Sequence, residues 1–299
     1  MVKILNSSFK IETDIDGIEI LKRIEAIGRT AYQSESKLLN LYNNIFFLEK
    51  EGNKALIEKN KILIQKEIER SNKLYNIYDR YYQISSQNEV WPLLNDVIRA
   101  SAINFVDMII KKGHLSVIEH ESITVRIICD RGVSHEAVRH RIASFIQEST
   151  RYCNYSQDKY GKEIKVIKPI FFDEDEKLSK EQEEKNSKIP IILESGDRWF
   201  FHGNVLTKFL VWLNAMELAE IHYLTLLDLG ASPQEARSVL PNSLKTELVI
   251  TANLREWRDS ILKLRTSIQA HPQFREISIP LLKELRNKIP IIFDDIDIK

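Results

Sequence analysis

The sequence predicts a globular protein that contains both helices and strands. Two stretches carry apolar residues at helical spacing, one from Ile18 to Ala31 and one from Trp199 to Leu229. Between them, Ser122 to Cys129 alternates polar with apolar residues, as a half-buried strand does. The chain has 299 residues, 43% of them hydrophobic, which is enough for a sizeable core in one large domain or two ordinary ones.

The charge balance argues against nucleic acid as the main partner. The chain has 43 basic and 43 acidic residues, whereas nucleic-acid-binding domains are usually basic. Two cysteines, Cys129 and Cys153, are too few for a disulfide framework or a cysteine-rich zinc site. No apolar run is long enough to span a bilayer, and the N-terminus lacks a signal-peptide pattern, so we expect a soluble, cytoplasmic protein without a membrane partner.

Residues 34–90 differ in composition from the rest of the chain. They are rich in Lys, Glu, Asn and Tyr and contain one glycine, Gly52. Partial helical periodicity among the charges predicts a helical excursion, folded as a hairpin that turns near Gly52 and Asn53. Its outer side is either a solvated helical insertion, which the charges favour, or a surface for a partner.

The segment before the predicted strand ends a helix, and the segment after it starts one. Ile103 to Lys112 has the pattern of a helix end, with Gly113 as its C-cap and a polar loop as far as Glu121. Ser134 is placed as the N-cap of a short helix that runs through Arg141.

The C-terminal half is predicted to be mostly helical. Residues 173–188 are dense in charged residues and are expected to form an exposed connection. Gly230 should end the long helix, and Ser232-Pro233-Gln234-Glu235 has the form of a capping box with proline at the first helical position. That second helix ends before Pro241, and Leu244 to Arg265 is predicted as a third helical run.

The stretch from Arg139 to Arg151 has the most unusual composition. It contains three arginines, one histidine, two serines, a glutamine and a glutamate within thirteen residues. Arginine presents a planar fork of donors that matches phosphate and carboxylate oxygens, and it stays charged at any working pH. On residue types alone, this stretch indicates an anion site that also orients a planar polar ligand, with a surface salt-bridge network as the alternative.

Other signatures of chemistry are weaker. The nine glycines form neither G-x-G-x-x-G nor a P-loop, and the G-x-S-x-G of a serine hydrolase is missing from the sequence. His114, Glu119 and His120 match no standard zinc spacing, and Cys153 is better explained as a packed residue than as a nucleophile. Residues 218–240 resemble a helix-turn-helix, but two capped core helices explain them better because the second helix offers few base-reading side chains.

Four blocks, in order, resemble the flavin-dependent thymidylate synthases. One of them, Arg139-His140-Arg141 followed after seven residues by Ser149 and then by Arg151, is similar to the family's RHR-x7-S signature. The other three are Gly113-His114-x-Ser116-x-x-Glu119-His120, Ala236-Arg237-x-x-Leu240-Pro241, and Thr251 to Trp257 with Leu264-Arg265. Together the blocks cover most of residues 100–156 and 218–275.

The resemblance implies both a fold and an activity. The fold would be α+β, a mixed sheet flanked by long helices, in a single domain over residues 1–299 that includes the helical insertion at about 34–90. The family converts dUMP to dTMP, with methylenetetrahydrofolate as carbon donor and FAD, reduced by NADPH, as hydride carrier. The resemblance also implies a homotetramer whose active sites are shared between subunits.

By the same resemblance, two overlapping sets of side chains bind the ligands. The dUMP set is Glu136, Arg139, Gln147, Glu148, Ser149, Arg151, Arg237 and Arg265. The FAD set is Ser116, Arg139, His140, Arg141, Gln147, Asn253, Arg255 and Asp259, with His114 and Glu119 lining the same site. Arg265 is the expected catalytic residue, since a guanidinium against the uracil ring would stabilise negative charge developing at N3 and O4. Ser149 is expected to be a ligand of dUMP rather than a nucleophile, and no metal site is expected.

Several positions depart from the family pattern. Glu136 stands where some members have Gln, and residues 147–148 read Gln-Glu where some place Glu first, so either of the two could meet the flavin. The stretch between Arg255 and Arg265 is one residue longer than the family pattern, and one residue rotates a helical side chain by about 100°. A non-catalytic nucleotide-binding protein on the same scaffold is therefore the second hypothesis, and bound flavin distinguishes the two.

Overall fold

The computed structural model describes residues 2–75, 94–186, 191–192, 198–199 and 207–298. The elements before residue 112 are β1 (Lys3–Leu5), β2 (Ser8–Ile11), α1 (Gly17–Tyr32), α2 (Lys37–Glu51), α3 (Lys54–Tyr75) and α4 (Leu94–Lys111). A 3-10 turn (Leu115–His120) then leads to β3 (Ser122–Asp130), α5 (Arg131–Ala137), β4 (Ala143–Gln147), a second 3-10 turn (Asp158–Tyr160) and β5 (Lys165–Ile167).

The remaining elements are mostly helical. They are α6 (Lys180–Asn186), β6 (Ile191–Ile192), β7 (Arg198–Trp199), α7 (Lys208–Asp228), α8 (Pro233–Ala236), a 3-10 turn (Arg237–Val239), β8 (Lys245–Asn253), a π-helix (Glu256–Leu262), α9 (Lys263–Arg265) and α10 (Pro272–Lys288). No helix among the described residues is both long enough and apolar enough to cross a membrane.

The strands form one larger sheet and two small ones. The four-stranded sheet has the order β2-β3-β8-β4, β1 pairs with β5 in parallel, and β6 pairs with β7 antiparallel. Long helices beside these sheets make the fold α+β, as predicted.

Two compact units are present. The first unit consists of Met1–Ser8, Ile127–Arg139 and Ile146–Val249, and the second consists of Phe9–Arg126, His140–Phe145 and Ile250–Lys299. Each unit contains one part of the predicted ligand-binding residues.

The predicted first helix is present as α1. The Asp16 side chain caps it by accepting a hydrogen bond from the Glu19 backbone N–H at 3.0 Å. Its apolar residues, among them Leu21 and Ile24, are fully buried within the second unit. Gly28 lies where α1 meets α4: a Cβ at this position would be 2.7 Å from two ring carbons of Phe105.

We expect Gly28→Ala to lower the free energy of unfolding by about 1–3 kcal/mol, because the added methyl overpacks a closed contact. The ring of Phe105, only 6% exposed, has little room to move. Chemical denaturation measures the effect. Thr30→Ala, at an exposed position of the same helix, is the control and should stay within about 0.5 kcal/mol of the original. Equal stability of the Gly28 variant would contradict the close packing.

The predicted helical hairpin is present as α2 and α3. The chain turns at Gly52, whose φ is +72°, a left-handed conformation that glycine adopts at little cost. Buried apolar side chains join the hairpin to α4; they include Leu38, Ile45, Ile64, Ile68 and Val97. The hairpin therefore has its own core contacts in the second unit. Residues 76–90 of the predicted excursion lie outside the described residues.

The helix end and the strand that follow are confirmed, with one difference. Gly113 has a φ of +72°, and its N–H donates to the Ile110 carbonyl at 3.0 Å, so it closes α4 as predicted. The stretch to Glu121, predicted to be a loop, is instead mostly a 3-10 turn, because Ile118 is fully buried and ties it to the core. In β3, Ile123 and Val125 are buried, in agreement with the alternating pattern.

Two predicted helices were wrong in their extent. Residues 245–253 form strand β8 rather than the start of a helix, because their burial alternates: Thr246, Leu248, Ile250 and Ala252 are buried. Helix α5 begins at Arg131, capped by Asp130, so Ser134 lies inside it and is not the N-cap. Helix α5 also ends at Ala137, so the arginine-rich stretch begins in a turn, passes through β4 and ends in a loop.

The long C-terminal helix is shorter than predicted. Helix α7 begins at Lys208, after its cap Thr207, while Trp199 belongs to β7 and residues 200–206 lie outside the described residues. Gly230, with φ of +92°, follows its end, and the capping box of Ser232 and Glu235 is confirmed. The predicted connection at 173–188 contains α6, whose residues are mostly exposed; residues 187–188 lie outside the described residues.

Candidate active site

The segment after β8 is held firmly in the second unit. Trp257 is 1% exposed, and its indole N–H donates to the Ile123 carbonyl of β3 at 3.1 Å. The Asn253 side-chain oxygen accepts from the Glu256 backbone N–H at 2.8 Å and so caps the helical turn that follows. With its oxygen used in this way, Asn253 offers its amide N–H groups to a ligand.

A π-helix follows the Asn253 cap. Residues Glu256–Leu262 form it and lie between Arg255 and Arg265, the stretch that the resemblance implies to be one residue longer than the family pattern. A π-helical turn closes with i→i+5 hydrogen bonds and so accommodates one more residue than an α-helical turn. Such a turn can absorb an added residue locally, without passing a rotation of about 100° on to the residues that follow.

Buried charges anchor the π-helix to the C-terminal segment. Arg258, 7% exposed, donates from Nε to the Ile292 carbonyl at 2.8 Å, and its terminal nitrogens bond to Asp259 and Asp295. Arg258 is thus structural. Asp259, expected to contact FAD, has its carboxylate bound to Arg258 and lies 4.0 Å from Arg255 Nε.

One ion pair joins two of the predicted sequence blocks. Arg255 Nη1 donates to Glu119 Oε1 at 2.5 Å, although the two residues lie 136 positions apart. Both side chains are nearly half exposed, at 47% and 42%, so this pair lies at the protein surface. Ser116 is exposed on the same 3-10 turn as Glu119. The geometry therefore brings together three residues that were assigned to FAD.

The second joined pair is His140 and Arg265. Arg265 Nε donates to His140 Nε2 at 3.1 Å, and His140 Nδ1 lies 3.0 Å from Ser260 Oγ. The Arg265 guanidinium also lies over the Phe274 ring, 4.8 Å from the ring centroid. The backbone carbonyl of Arg265 accepts a hydrogen bond from Ser278 Oγ at 2.7 Å. The sequence reasoning missed Ser260, Phe274 and Ser278, because nothing in one sequence distinguishes them from ordinary helix residues.

Burial and a neighbouring charge keep His140 neutral. Desolvation, followed by the positive charge of Arg265, lowers the pKa of His140 from 6.5 to about 4. Between these two values, the unfolded chain binds a proton on this residue and the folded chain does not. Protonation of His140 therefore costs no stability above about pH 6.5, and it lowers the free energy of unfolding as the pH drops towards 4.

As the pH is lowered from 6.5 to 4, we expect the free energy of unfolding to fall more in the original protein than in His140→Gln. The difference between the two proteins should reach up to about 3 kcal/mol. Denaturation curves at pH 7, 6, 5 and 4, compared between the two proteins at one concentration, isolate this residue from the other titrating groups. Parallel pH dependence in the two proteins would contradict a buried, neutral His140.

The first unit contains the residues assigned to the dUMP phosphate. Arg151 Nε donates to Gln234 Oε1 of α8 at 2.9 Å, and the Arg151 backbone N–H donates to Ser149 Oγ at 3.3 Å. Arg237 follows α8 directly and is exposed. These contacts bring Ser149 and Arg151 to the first residues of a helix that leads to Arg237.

Gln147 and Glu148 are held by side chains of the same unit. Gln147 Nε2 donates to Ser134 Oγ at 2.9 Å and to Thr246 Oγ1 at 3.2 Å. Glu148 accepts from Lys245 Nζ at 2.8 Å and from the Tyr155 hydroxyl at 3.0 Å. Burial alone would lower the pKa of the Lys245 ammonium, but its contacts with Glu148 and Glu247 raise it overall.

The donor chemistry of both units fits the predicted ligands. Within the described ranges, the side chains of Arg139, Arg141 and Arg237 are exposed and have no hydrogen-bond or ion-pair partner, so their guanidinium groups are available to phosphate oxygens. Ser116, the Asn253 amide and Arg255 supply further donors for a flavin. Over the same ranges, no group of three or more His, Cys, Asp or Glu side chains could hold a metal ion.

Comparison with known proteins shows the family to which the chain belongs. The profile of the family described as thymidylate synthase complementing protein matches residues 18–291. A flavin-dependent thymidylate synthase of Corynebacterium aurimucosum is 33% identical over 201 residues, 67% of this chain and 72% of that protein. Enzymes of the same name from Corynebacterium glutamicum and Geobacter sulfurreducens are 31% and 29% identical, over 67% and 68% of this chain and 72% and 73% of their own. The chain therefore belongs to the thymidylate synthase complementing protein family, the family of the flavin-dependent thymidylate synthases.

Proposed function

We propose that this protein methylates dUMP to dTMP as a flavin-dependent thymidylate synthase. One observation supports this activity above the others: the contact between His140 of the RHR signature and Arg265 of the C-terminal block. These residues lie 125 positions apart in the chain and meet at 3.1 Å. Two side chains that the resemblance assigns to one reaction are thus in direct contact.

FAD is the cofactor, and its binding residues belong mainly to the second unit. Ser116, Arg141, the Asn253 amide and Arg255 present donors and positive charge to the phosphates and to the polar edge of the ring. Glu119 holds Arg255 in place. When bound, the flavin supplies the hydride, which comes from NADPH, while methylenetetrahydrofolate supplies the carbon.

The dUMP phosphate is bound by the first unit. Arg139, Arg151 and Arg237 provide the positive charge, and Ser149 provides a hydroxyl beside the Arg151 backbone. Glu148 is held between Lys245 and Tyr155, which suits a carboxylate that shapes the site rather than one that reacts.

Arg265 activates the uracil ring. A fixed guanidinium beside N3 and O4 stabilises the negative charge that develops there and makes C5 more nucleophilic. The Phe274 ring and His140 limit the orientations open to this guanidinium. The positive charge is therefore already in position before the ring reacts.

Ser149→Ala should weaken dUMP binding by about 10- to 100-fold and leave kcat largely unchanged, since one hydrogen bond to a charged group is worth about 1.5–3 kcal/mol. Titration of dUMP into the flavin-loaded protein, followed by steady-state kinetics, separates the two quantities. Ser243→Ala serves as the comparison, as this serine bonds to Trp212 rather than to a ligand. Complete loss of product with dUMP binding intact would instead make Ser149 a nucleophile.

We also propose a domain organisation, a location and an assembly for the enzyme. The family profile spans residues of both units, which supports treating 1–299 as one catalytic domain with the α2–α3 hairpin as an insertion. The active enzyme is proposed to be a cytoplasmic homotetramer in which FAD and dUMP contact residues from more than one chain.

The visible absorption spectrum of the purified protein tests the cofactor. The proposal requires an oxidised-flavin spectrum, or its appearance on adding FAD, and then NADPH oxidation that depends on dUMP. A protein that binds dUMP but takes up no FAD would be the non-catalytic nucleotide-binding protein, and the synthase proposal would fail.

A further inference from the structure

The environment of Arg265 contains two groups that the ligand assignments leave unexplained. His140 was assigned to FAD, yet both of its ring nitrogens have protein partners, Arg265 and Ser260. Ser260 lies inside the π-helix, five positions before Arg265, and has no assigned role. The imidazole is only 7% exposed, so its hydrogen bonds are made within the protein.

The contact with Arg265 fixes the state of the imidazole. The Nε of an arginine always carries a hydrogen and can only donate. At 3.1 Å, His140 Nε2 must therefore accept with its lone pair, and the single hydrogen of the neutral ring must be on Nδ1. A hydrogen on Nε2 would point at the hydrogen of Arg265 Nε.

Ser260 is the matching acceptor on the other side of the ring. Its Oγ lies 3.0 Å from Nδ1, whereas the nearest carboxylate oxygen, Glu256 Oε1, is 3.8 Å away and beyond ordinary hydrogen-bond length. A serine hydroxyl has lone pairs that accept the Nδ1–H. The neutral form that this geometry requires agrees with the lowered pKa of His140.

We infer that Ser260 and His140 are positioning residues for Arg265: Ser260 holds the imidazole in its Nδ1–H form, and Nε2 then holds the guanidinium by its Nε–H. Any contact of Arg265 with a ligand has to use the terminal Nη atoms, because Nε is bonded to His140. The inference rests on the proposed role of Arg265 in the synthase reaction.

The π-helix gives this arrangement its geometry. Arg258, inside the same turn, is anchored to the Ile292 carbonyl and to Asp295. Trp257 is anchored to β3. With two of its residues fixed on the core, the π-helix places Ser260 against the imidazole while still delivering Arg265 to the opposite ring nitrogen. The extra residue between Arg255 and Arg265 thus coincides with the turn that supplies the histidine's partner.

The tautomer can be measured without any substrate. In protein labelled with ¹⁵N-histidine and free of ligands at pH 7, nitrogen NMR should show His140 protonated at Nδ1 and unprotonated at Nε2, with the signals identified by their loss in His140→Gln. A hydrogen on Nε2 would overturn the inference. Because neither FAD nor dUMP is needed, this result does not depend on whether the protein is a thymidylate synthase.

Kinetics test the consequence for Arg265. Ser260→Ala should lower kcat by about tenfold, as small misplacements of a catalytic group do, while flavin content and the KM for dUMP stay within about twofold. Ser260→Thr keeps the hydroxyl and should restore kcat. Ser267→Ala, in the bend that follows α9, should behave as the original. An unchanged kcat in Ser260→Ala, or an equal loss in Ser260→Thr, would overturn the inference.

Discussion

Arg265→Ala should reduce dTMP formation by at least about 10²–10³-fold while the protein still binds FAD. The expected size comes from the loss of one fixed charge that stabilises the reacting ring, a change that typically costs this much in kcat. The loss should appear in kcat rather than in the KM for dUMP, because the phosphate contacts of the first unit are untouched. Product formation under saturating substrates, with flavin content measured on the same sample, tests it.

Lys263→Ala is the matched control for that variant. Lys263 is exposed, begins the same short helix α9 and has no assigned role. It should retain the activity of the original protein. Full dTMP production by Arg265→Ala would contradict the ring-activation role, and loss of flavin together with activity would indicate that the arginine supports the cofactor site instead.

Lys245→Met should destabilise the protein by about 2–4 kcal/mol. The substitution removes the cation from Glu148, whose side chain is only 14% exposed, and leaves a mostly buried carboxylate with the Tyr155 hydroxyl as its remaining partner. Breaking a buried ion pair from one side costs about 3–5 kcal/mol, and the partial exposure of both groups reduces that somewhat. Denaturation at fixed protein concentration provides the measurement.

The double variant Lys245→Met with Glu148→Gln distinguishes a stranded charge from lost packing. With the carboxylate gone, the double variant should recover a large part of the stability lost by Lys245→Met alone. If the single variant unfolds at the same denaturant concentration as the original protein, the ion pair does not stabilise the first unit as we describe.

The sequence predicted well wherever a local rule decided the structure. Gly113 and Gly230 both end helices, and Ser232 with Glu235 forms the expected capping box, because these caps depend on residues only a few positions apart. The hairpin turn at Gly52 follows the same reasoning. Strand β3 was also correct, since polar and apolar residues alternate from Ser122 to Ile127, and the burial follows this alternation.

The errors came from competing patterns. Residues 245–253 contain enough apolar residues to fit a helical spacing, yet burial on one face of the sheet gave them the period of a strand. Asp130 rather than Ser134 caps α5, because its carboxylate at the end of β3 accepts a hydrogen bond from the Val133 backbone N–H. Helix α10 was not predicted, although its buried residues Phe274, Ile277 and Leu281 stand at helical spacing around the internal Pro280.

In the candidate site, too, local patterns were predictable and contacts between distant residues were not. Residue types alone indicated an anion site around Arg139 and Arg151, and the resemblance to a family supplied the roles. The contacts of His140 with Ser260 and Arg265 connect residues 120 and 125 positions apart, so no local pattern could reveal them. The π-helix between Arg255 and Arg265 was also not predictable, because residues 256–262 fit an ordinary helical pattern in the sequence.

Release of tritium from dUMP labelled at C5 tests the central claim most directly. The account predicts tritium release by the FAD-loaded protein with NADPH and methylenetetrahydrofolate, at a rate that matches dTMP formation and falls by at least about 10²-fold in Arg265→Ala. A flavin-loaded protein that binds dUMP but releases no tritium would contradict it, and this chain would then hold the nucleotide without activating its ring.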